Sequence, residues 1–464
     1  MREQIHGVNL FHEYINMTGE TMGDRVERII ISRKDKSRWK SCHVLCGLSR
    51  RLGNCAVYIL RQRFFKGEGM LSRVELDTRL REQYTKDYRA LPTSASAQRQ
   101  KDVILQDFRS FLSGSKDYKV HPEKYTGEPK LPGYRRKYRN FVVGYNGFSI
   151  KDGFLYISGW REFGITPIPV KCCRNQVINA KAKDVVVSDI RILPRGNTFV
   201  VECVYREEET VTDLMDSSHA CLIDLGVNNF ATIASTRPGV RPVLVKGGIQ
   251  KSINQKYNKD MGVLRSKKKG AHFAAKGFKR ERQIRDCQHK ISRFVVNWCV
   301  ANGLGTIIVG HSTGWKQKSN MGKQNNQNFV SLPHNIFIKQ LRYKAEKYGI
   351  EVIEHEESYT SKASALDFDP LPEYKPGRKL MQYSGRRIKR GLYRTAKGKL
   401  INADVNGALN VGRKELGDEW LIELLGVDGG VVDTPMVFRD YHKGSRFPLE
   451  AGLRPCEARA FMHG

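Results

Sequence analysis

The carboxyl-terminal half of the sequence predicts an α/β fold, on three observations. Two apolar runs, residues 220–227 and 230–234, flank an Asn228-Asn229 turn. Asn tolerates the positive φ that tight turns need, so the stretch reads as a β-hairpin. Apolar strands and amphipathic helices then follow one another to about residue 415. Finally, one carboxylate, Asp224, stands inside the first strand among Cys221, Leu222, Ile223, Leu225 and Val227. That placement is costly unless the group accepts backbone hydrogen bonds, is paired, or holds a metal.

Each later element has its own signal. Residues 242–245 make a third strand. Residues 283–302 form a helix with Ile284, Ile291, Phe294, Val295 and Trp298 on its apolar face. The run TIIVG (306–310) is a buried strand, 335–348 a helix, 351–357 a strand and 404–415 a helix. Strand, strand, strand, helix, strand, helix, strand, insertion, helix is the order of an RNase H-like α/β fold.

The amino-terminal half reads differently. VERIII (26–31) is a lone strand. Leu45, Leu48, Leu52, Ala56, Ile59 and Leu60 recur at helical spacing over 38–65, with Gly53 interrupting. A second helix over 98–113 carries Ile104, Leu105, Phe108, Phe111 and Leu112, so a small helical bundle is expected. Residues 141–205 read as short strands joined by Asn-Gly, Asp-Gly and Arg-Gly-Asn turns, a small barrel or sandwich. A polar linker, 207–218, precedes the α/β half. The last forty or so residues show weak periodicity and are taken as a tail.

Charge points to the partner. The 464 residues carry 80 Lys and Arg against 48 Asp and Glu, a net charge of +32, which is the footprint of a polyanion binder. No run of eighteen apolar residues and no signal-type leader appear, which argues against a membrane or secreted protein and for a bacterial cytoplasmic one, nucleoid-associated when bound to DNA. Ten scattered Cys without a CxxC pair suggest free thiols. Cys42, His43 and Cys46 lack a partner pair, so no zinc is expected.

The charge is concentrated. Residues 251–290 hold thirteen Lys or Arg against three acids, including Lys267, Lys268 and Lys269. Residues 375–399 hold ten and no acid, including Arg386, Arg387, Lys389 and Arg390, and this stretch is expected to bury little. In the loop 127–140, Tyr134 and Tyr138 alternate with Arg135, Arg136, Lys137 and Arg139, a pattern that suits base stacking with phosphate contact and equally a solvated basic loop. Lys40, Arg50 and Arg51 are further candidate contacts on the helical bundle.

Three carboxylates stand at element ends: Asp224 on the first strand, Glu357 after the last strand, and Asp404 opening the final helix. Two or three carboxylates on rigid elements suffice for Mg²⁺, which takes hard oxygen ligands and keeps several waters. A pair of such ions activates water and stabilises the leaving oxygen of a phosphodiester. Asp404 has a second reading, as a helix N-cap.

LIDLGVNNFATIAS, EESYTSKAS (356–364) and NADVNGALN (402–410) resemble the three RuvC motifs of TnpB, the transposon-encoded RNA-guided nucleases related to compact type V CRISPR effectors. The resemblance is strong over 219–415 and weaker before it. It implies a RuvC-like nuclease domain at 216–364 and 401–417, a wedge-like β-barrel at 1–37 and 118–215, an inserted helical recognition lobe at 38–117, a basic, zinc-less target-nucleic-acid-binding insertion at 365–400, and a tail at 418–464. It further implies a guide RNA and target DNA as partners, one monomer per guide, and two Mg²⁺ ions held by Asp224, Glu357 and Asp404. Two departures stand out. Where most of the family places its middle Glu this chain has Gly310, followed by His311, a poor Mg²⁺ ligand. Glu357 matches a rearranged position seen in some members, with Glu356 and Glu354 as rivals. The family's Cys pairs are also missing from 365–400. Besides a nuclease, a nuclease-inactive RNA-guided repressor and an unguided nuclease or transposase stay open.

Overall fold

The computed structural model describes residues 24–171, 181–182, 185–207, 218–267, 272–311, 332–373, 381–428, 432 and 434–439. The chain divides into two compact units, Met1–Glu209 with Ala271–Ala275, and Thr210–Gly270 with Lys276–Gly464. No helix among the described residues is long and apolar enough to cross a membrane.

The first unit starts with strand β1 (Asp24–Ile31) and helices α1 (Lys36–Phe65), α2 (Arg73–Gln83), α3 (Thr85–Arg89) and α4 (Ser94–Val120). Strands β2 (Phe141–Gly144), β3 (Phe148–Lys151), β4 (Phe154–Ile157), β5 (Ile168–Pro169), β6 (Lys181–Ala182), β7 (Val185–Arg195) and β8 (Thr198–Glu207) follow. The order β1-β8-β7-β2, with β6 on β7, makes one antiparallel sheet, and β3-β4-β5 makes another. The helices are thus inserted between two strands of one sheet. Helices and strands share one apolar core, from Ile31 through Leu52, Leu105 and Phe141 to Cys203, so packing does not break at residues 37 and 118. Among the described residues no ladder joins β1 to β2, and the sheet is open rather than a closed barrel.

Helix α1 runs unbroken through Gly53. A Cβ there would stand 2.6 Å from Arg139 Cδ, so the missing side chain makes room for the Arg139 stem against the helix. Helix α2, absent from the sequence expectations, has a full capping box: Ser72 Oγ accepts from Glu75 N at 3.2 Å and Glu75 Oε2 accepts from Ser72 N at 2.7 Å. Cys42 and Cys46 lie inside the core, and burial pushes the Cys42 thiol up to about 12.

The second unit holds β9 (Ala220–Leu225), β10 (Asn229–Ser235), β11 (Val243–Lys246), α5 (Gly248–Ser266), α6 (Phe273–Ala301), β12 (Thr306–Gly310), α7 (His334–Ala345), β13 (Glu351–His355), β14 (Arg386–Lys389), β15 (Leu392–Arg394), β16 (Leu400–Asn402), α8 (Ala403–Leu416), α9 (Glu419–Asp428) and β17 (Met436–Phe438). The hairpin turn spans residues 226–228 rather than Asn228-Asn229, and Asn229 opens β10. The sheet order is β13-β12-β9-β10-β11-β17, with β9, β10 and β11 antiparallel and β12 and β13 parallel to β9. This is the RNase H-like order with one added edge strand.

Alternation along the strands sets two faces. Cys221, Ile223, Leu225, Ile307 and Val309 pack with α6 and α7, while Leu222 and Ile308 pack with Val405, Ala408, Leu409 and Val411 of α8. The expected tail is corrected in part. Strand β17 pairs in parallel with β11, and Phe438 packs on Phe294 at 4.5 Å between centroids, because the stretch to residue 438 covers an apolar edge.

The basic insertion is also corrected. It forms the sheet β14-β15-β16 and buries Tyr393 to 1% exposure, with its hydroxyl donating to Lys362 O at 2.7 Å. Two carboxylates hold the module: Asp369 accepts from Ser364 N at 2.8 Å and Ser384 N at 3.1 Å, and Asp367 from Ser364 Oγ at 2.6 Å and Ala396 N at 2.7 Å.

Candidate active site

Asp224 shares the β9 face of Leu222 and points at α8. The approach depends on Gly407, where a Cβ would stand 3.2 Å from Asp224 Oδ2. Burial, then the neighbouring Asp404 charge, push the Asp224 carboxyl up to about 7, with Arg387 opposing.

Asp404 lies in the first turn of α8, where the helix dipole favours a negative charge. It is not the cap. Asn402 caps the helix, its side-chain oxygen accepting from Asp404 N at 3.0 Å and Val405 N at 3.2 Å, which leaves the Asp404 carboxylate for other partners. Asn229 Nδ2 donates to Asp404 Oδ2 at 2.6 Å, and Lys246 Nζ to Asn229 Oδ1 at 2.7 Å. Arg387 of β14 reaches Asp404 Oδ1 at 3.4 Å. By sequence Asn229 reads only as a turn residue. Its signal was a polar side chain opening an otherwise apolar strand.

Glu357 follows β13, and its carboxylate turns back over Gly310. A Cβ on Gly310 would lie 3.3 Å from Glu357 Oε2 and 2.6 Å from Val411 Cγ2. Residue 310 is one step beyond the Val309–Ile223 pair, which brings it level with Asp224. Burial, then Asp224 and Glu356, push Glu357 up to about 8, with Lys414 opposing. The rivals are engaged elsewhere. Glu356 accepts from Lys414 Nζ at 2.5 Å and Ser358 N at 2.7 Å, and these bonds outweigh its burial and lower its pKa. Glu354 pairs with Arg342 at 2.6 Å and meets His311 Nδ1 at 3.1 Å.

The last motif explains how Glu357 is presented. Asn406, Asn410 and Arg413 lie on one face of α8. Asn406 accepts from Ala365 N at 2.9 Å and donates to Ala363 O at 2.8 Å. Asn410 donates to Thr360 O at 2.9 Å and Ala363 O at 2.8 Å, and Arg413 donates to Asn410 Oδ1 at 2.9 Å. These bonds fasten the segment just after Glu357 to the helix that carries Asp404.

Among the described residues no three His, Cys, Asp or Glu side chains cluster closely enough to cage a cation. The donor chemistry nevertheless fits a hard cation. The oxygens are carboxylate, Asp224 and Glu357 are pushed well up by burial and by neighbouring carboxylates, and a bound cation would offset that cost of charge.

The basic residues divide. Arg386, Arg387, Lys389 and Arg390 are exposed on and beside β14, with Arg387 at the Asp404 carboxylate and Arg390 Nε facing the Asn228 side-chain amide at 2.8 Å. Lys267 is exposed, while Lys268 and Lys269 lie outside the described residues. In the first unit Lys40, Tyr134, Arg135, Arg136 and Lys137 are exposed, Arg50 is half-buried, and Arg51 is exposed but paired with Asp87 at 3.3 Å. Tyr138 and Arg139 are corrections to the candidate surface. Tyr138 packs on Phe199 and meets His43 Nδ1 at 2.7 Å. Arg139 is 8% exposed, its stem lying in the space left by Gly53, and burial lowers it to about 10.

Comparison with known proteins places these elements. Residues 203–316, which carry Asp224 and Gly310, match the family model OrfB_IS605, described as a probable transposase. Residues 334–411, which carry Glu357, the β14–β16 module and Asp404, match the Cas12f1-like TNB domain. The resemblance to TnpB and the compact type V effectors holds. The TnpB-like chain is 28% identical over 233 residues to the CRISPR-associated endodeoxyribonuclease Cas12f1 of Sulfoacidibacillus thermotolerans, which is 47% of this chain and 50% of that protein. It therefore spans about half the length of the curated relative it matches. The cryo-EM structure of a Cas12f1-sgRNA-target DNA complex covers 82% of each chain at a TM-score of 0.50 and 15% identity, a likeness of fold.

Proposed function

We propose that this TnpB-like chain is an RNA-guided DNA endonuclease with a single RuvC-like site. The observation that carries the reading is the placement of Glu357 over Gly310, level with Asp224 and joined to the Asp404 helix through Asn406 and Asn410. Asp224, Glu357 and Asp404 would hold Mg²⁺ ions. Bound there, such ions supply an activated water and stabilise the leaving oxygen, giving phosphodiester hydrolysis with a 5′ phosphate.

The chain's own residues position and select. Asn229 and Lys246 orient the Asp404 carboxylate, and Lys414 draws Glu356 away from Glu357. Arg386, Arg387, Lys389 and Arg390 give phosphate contacts beside the carboxylates, and the basic stretches over 127–137 and 251–290 bind RNA and DNA backbones. A guide RNA, one per monomer, supplies sequence specificity by pairing, and the protein reads a short flanking DNA motif. The related Cas12f1 of Sulfoacidibacillus thermotolerans is named an endodeoxyribonuclease, and a solved Cas12f1 complex of similar fold is one with sgRNA and target DNA, which supports this assignment.

The test is guided plasmid cleavage. The chain is co-expressed with its flanking DNA, purified with bound RNA and given a matched target library with Mg²⁺. Cleavage lost in Asp224→Ala and in Glu357→Ala is expected. Guided binding without cleavage would replace the nuclease by a repressor, and a protein free of RNA would remove guidance altogether.

A further inference from the structure

One face of α1 carries a stripe that the site above does not use. Arg50, Asn54, Tyr58, Arg61 and Phe65 follow one another at three- and four-residue steps, so they line a single side of the helix. Three of them hold the backbone of the loop that crosses it. Arg50 donates to Arg136 O at 3.4 Å and Arg61 to Pro132 O at 3.0 Å. Asn54 exchanges two 3.0 Å bonds with the Arg135 backbone. With the loop pinned by its main chain, the side chains of Tyr134, Arg135, Arg136 and Lys137 are left to solvent.

The aromatic residues of this face are open. Phe65 is 64% exposed, Tyr134 51% and Tyr58 48%. The Arg61 guanidinium stands 5.2 Å from the Phe65 ring centroid and 5.8 Å from that of Tyr134, so two rings and a planar cation are held side by side. Large rings left in water by a folded chain mark a contact surface when they are contiguous. Rings with a fixed guanidinium, edged by Arg135, Arg136 and Lys137 in a chain of net charge +32, complement an anion that also has flat apolar faces.

We infer that Tyr58, Arg61, Phe65 and Tyr134 form a stacking platform for unpaired bases of a single-stranded nucleic acid, with Arg135, Arg136 and Lys137 taking its phosphates. The inference rests on the nucleic-acid-binding part of the proposed function and not on cleavage. A duplex hides its base faces in the stack, so the platform favours single strands.

The test is fluorescence anisotropy of the full chain without divalent metal. The probes are labelled dT and rU strands and a mixed-sequence duplex, each about 20 nucleotides long, across a salt series. Phe65→Ala and Tyr134→Ala are each expected to weaken single-strand binding about tenfold, with the salt slope and duplex affinity unchanged. Arg135→Ala is expected to reduce the slope by about 0.7. Phe65→Leu keeps most of the apolar volume but removes the ring, and is expected to lose affinity like Phe65→Ala, which separates stacking from folding. Loss on both strands assigns the platform to stacking alone, loss on rU alone to RNA, and loss on dT alone to DNA. Unchanged single-strand affinity, or an equal drop for the duplex, overturns the proposal. So does a change in sedimentation coefficient in place of a change in affinity, which would make the rings a protein contact. Because only binding is read, a chain that cuts nothing still passes or fails on its own.

Discussion

Glu357 fills the space in front of Gly310. The carboxylate and Cβ of Glu357 lie 3.3 and 3.4 Å from where a Cβ on residue 310 would stand, and Val411 Cγ2 only 2.6 Å away. A methyl at 310 would force Val411 aside and press Glu357 out by a few tenths of an ångström. Gly310→Ala should therefore destabilise the second unit by about 1–3 kcal/mol through overpacking and, on the proposed function, reduce cleavage by displacing Glu357. Removing the obstructing methyl in Val411→Ala should recover part of the stability lost in Gly310→Ala, a favourable coupling in a double-mutant cycle of urea unfolding. Strictly additive losses would show that the two side chains do not compete.

The raised carboxyls set a pH dependence for the metal-free chain. Asp224 goes from an ordinary 3.8 to about 7 and Glu357 from 4.5 to about 8. Between about pH 4 and pH 8 the folded state holds protons that the unfolded chain has released, so stability is present below the unfolded values and is lost as pH rises through the folded ones. The melting temperature in chelator should fall by several degrees, on the order of 5 °C, between pH 5 and pH 8. Asp224→Asn and Glu357→Gln should each flatten that slope, and millimolar Mg²⁺ should restore stability at pH 8. A melting temperature that climbs with pH in chelator would contradict this account of the site.

How much of this was legible depends on range. Asp224 stands out in the sequence because one carboxylate in an apolar strand is a local anomaly, and the sheet order follows from elements with clear periods. The preference for Glu357 over Glu356 and Glu354 was not decidable from alternation alone, because residue 357 has left the strand. What separates the three is Lys414 and Arg342, which come from other helices and pair with Glu356 and Glu354. Gly53 weakened the expectation of a long helix since propensity is local, whereas its reason is Arg139, folded onto it from another part of the chain. Arg135, Arg136 and Lys137 stay exposed while Arg139 is buried against Gly53 of a distant helix, and composition cannot see that. Strand β17 was missed because a three-residue edge strand carries no period of its own.

Asn410 tests the link between the last motif and Glu357. Its amide donates to two main-chain carbonyls of the 360–363 segment and its oxygen receives Arg413, and it is fully buried. Asn410→Ala leaves those groups without their partner, at a cost of about 1–3 kcal/mol. Cleavage should drop along with stability although residue 410 touches none of the three carboxylates. At a temperature where the variant is fully folded, activity equal to the wild type would show that the segment holds Glu357 without this anchor.

The module over β14–β16 offers the last test, since two carboxylates hold it together. Asp369 accepts from the main chain at both ends of a twenty-residue excursion, Ser364 and Ser384, and is buried. Replacing it by Ala removes both bonds and leaves two amides to find water, while Asp369→Asn keeps one acceptor oxygen and should be milder. Hydrogen exchange over residues 381–402 should accelerate about tenfold or more in Asp369→Ala, with exchange in β9 and β12 unchanged. Chelators should leave that protection as it is, because the contacts that close the module are carboxylate to amide and Tyr393 to Lys362. Loss of protection on adding a chelator would mean that a metal closes the module after all, and Arg387 would then reach Asp404 from a metal-dependent hairpin rather than from a carboxylate-stapled one.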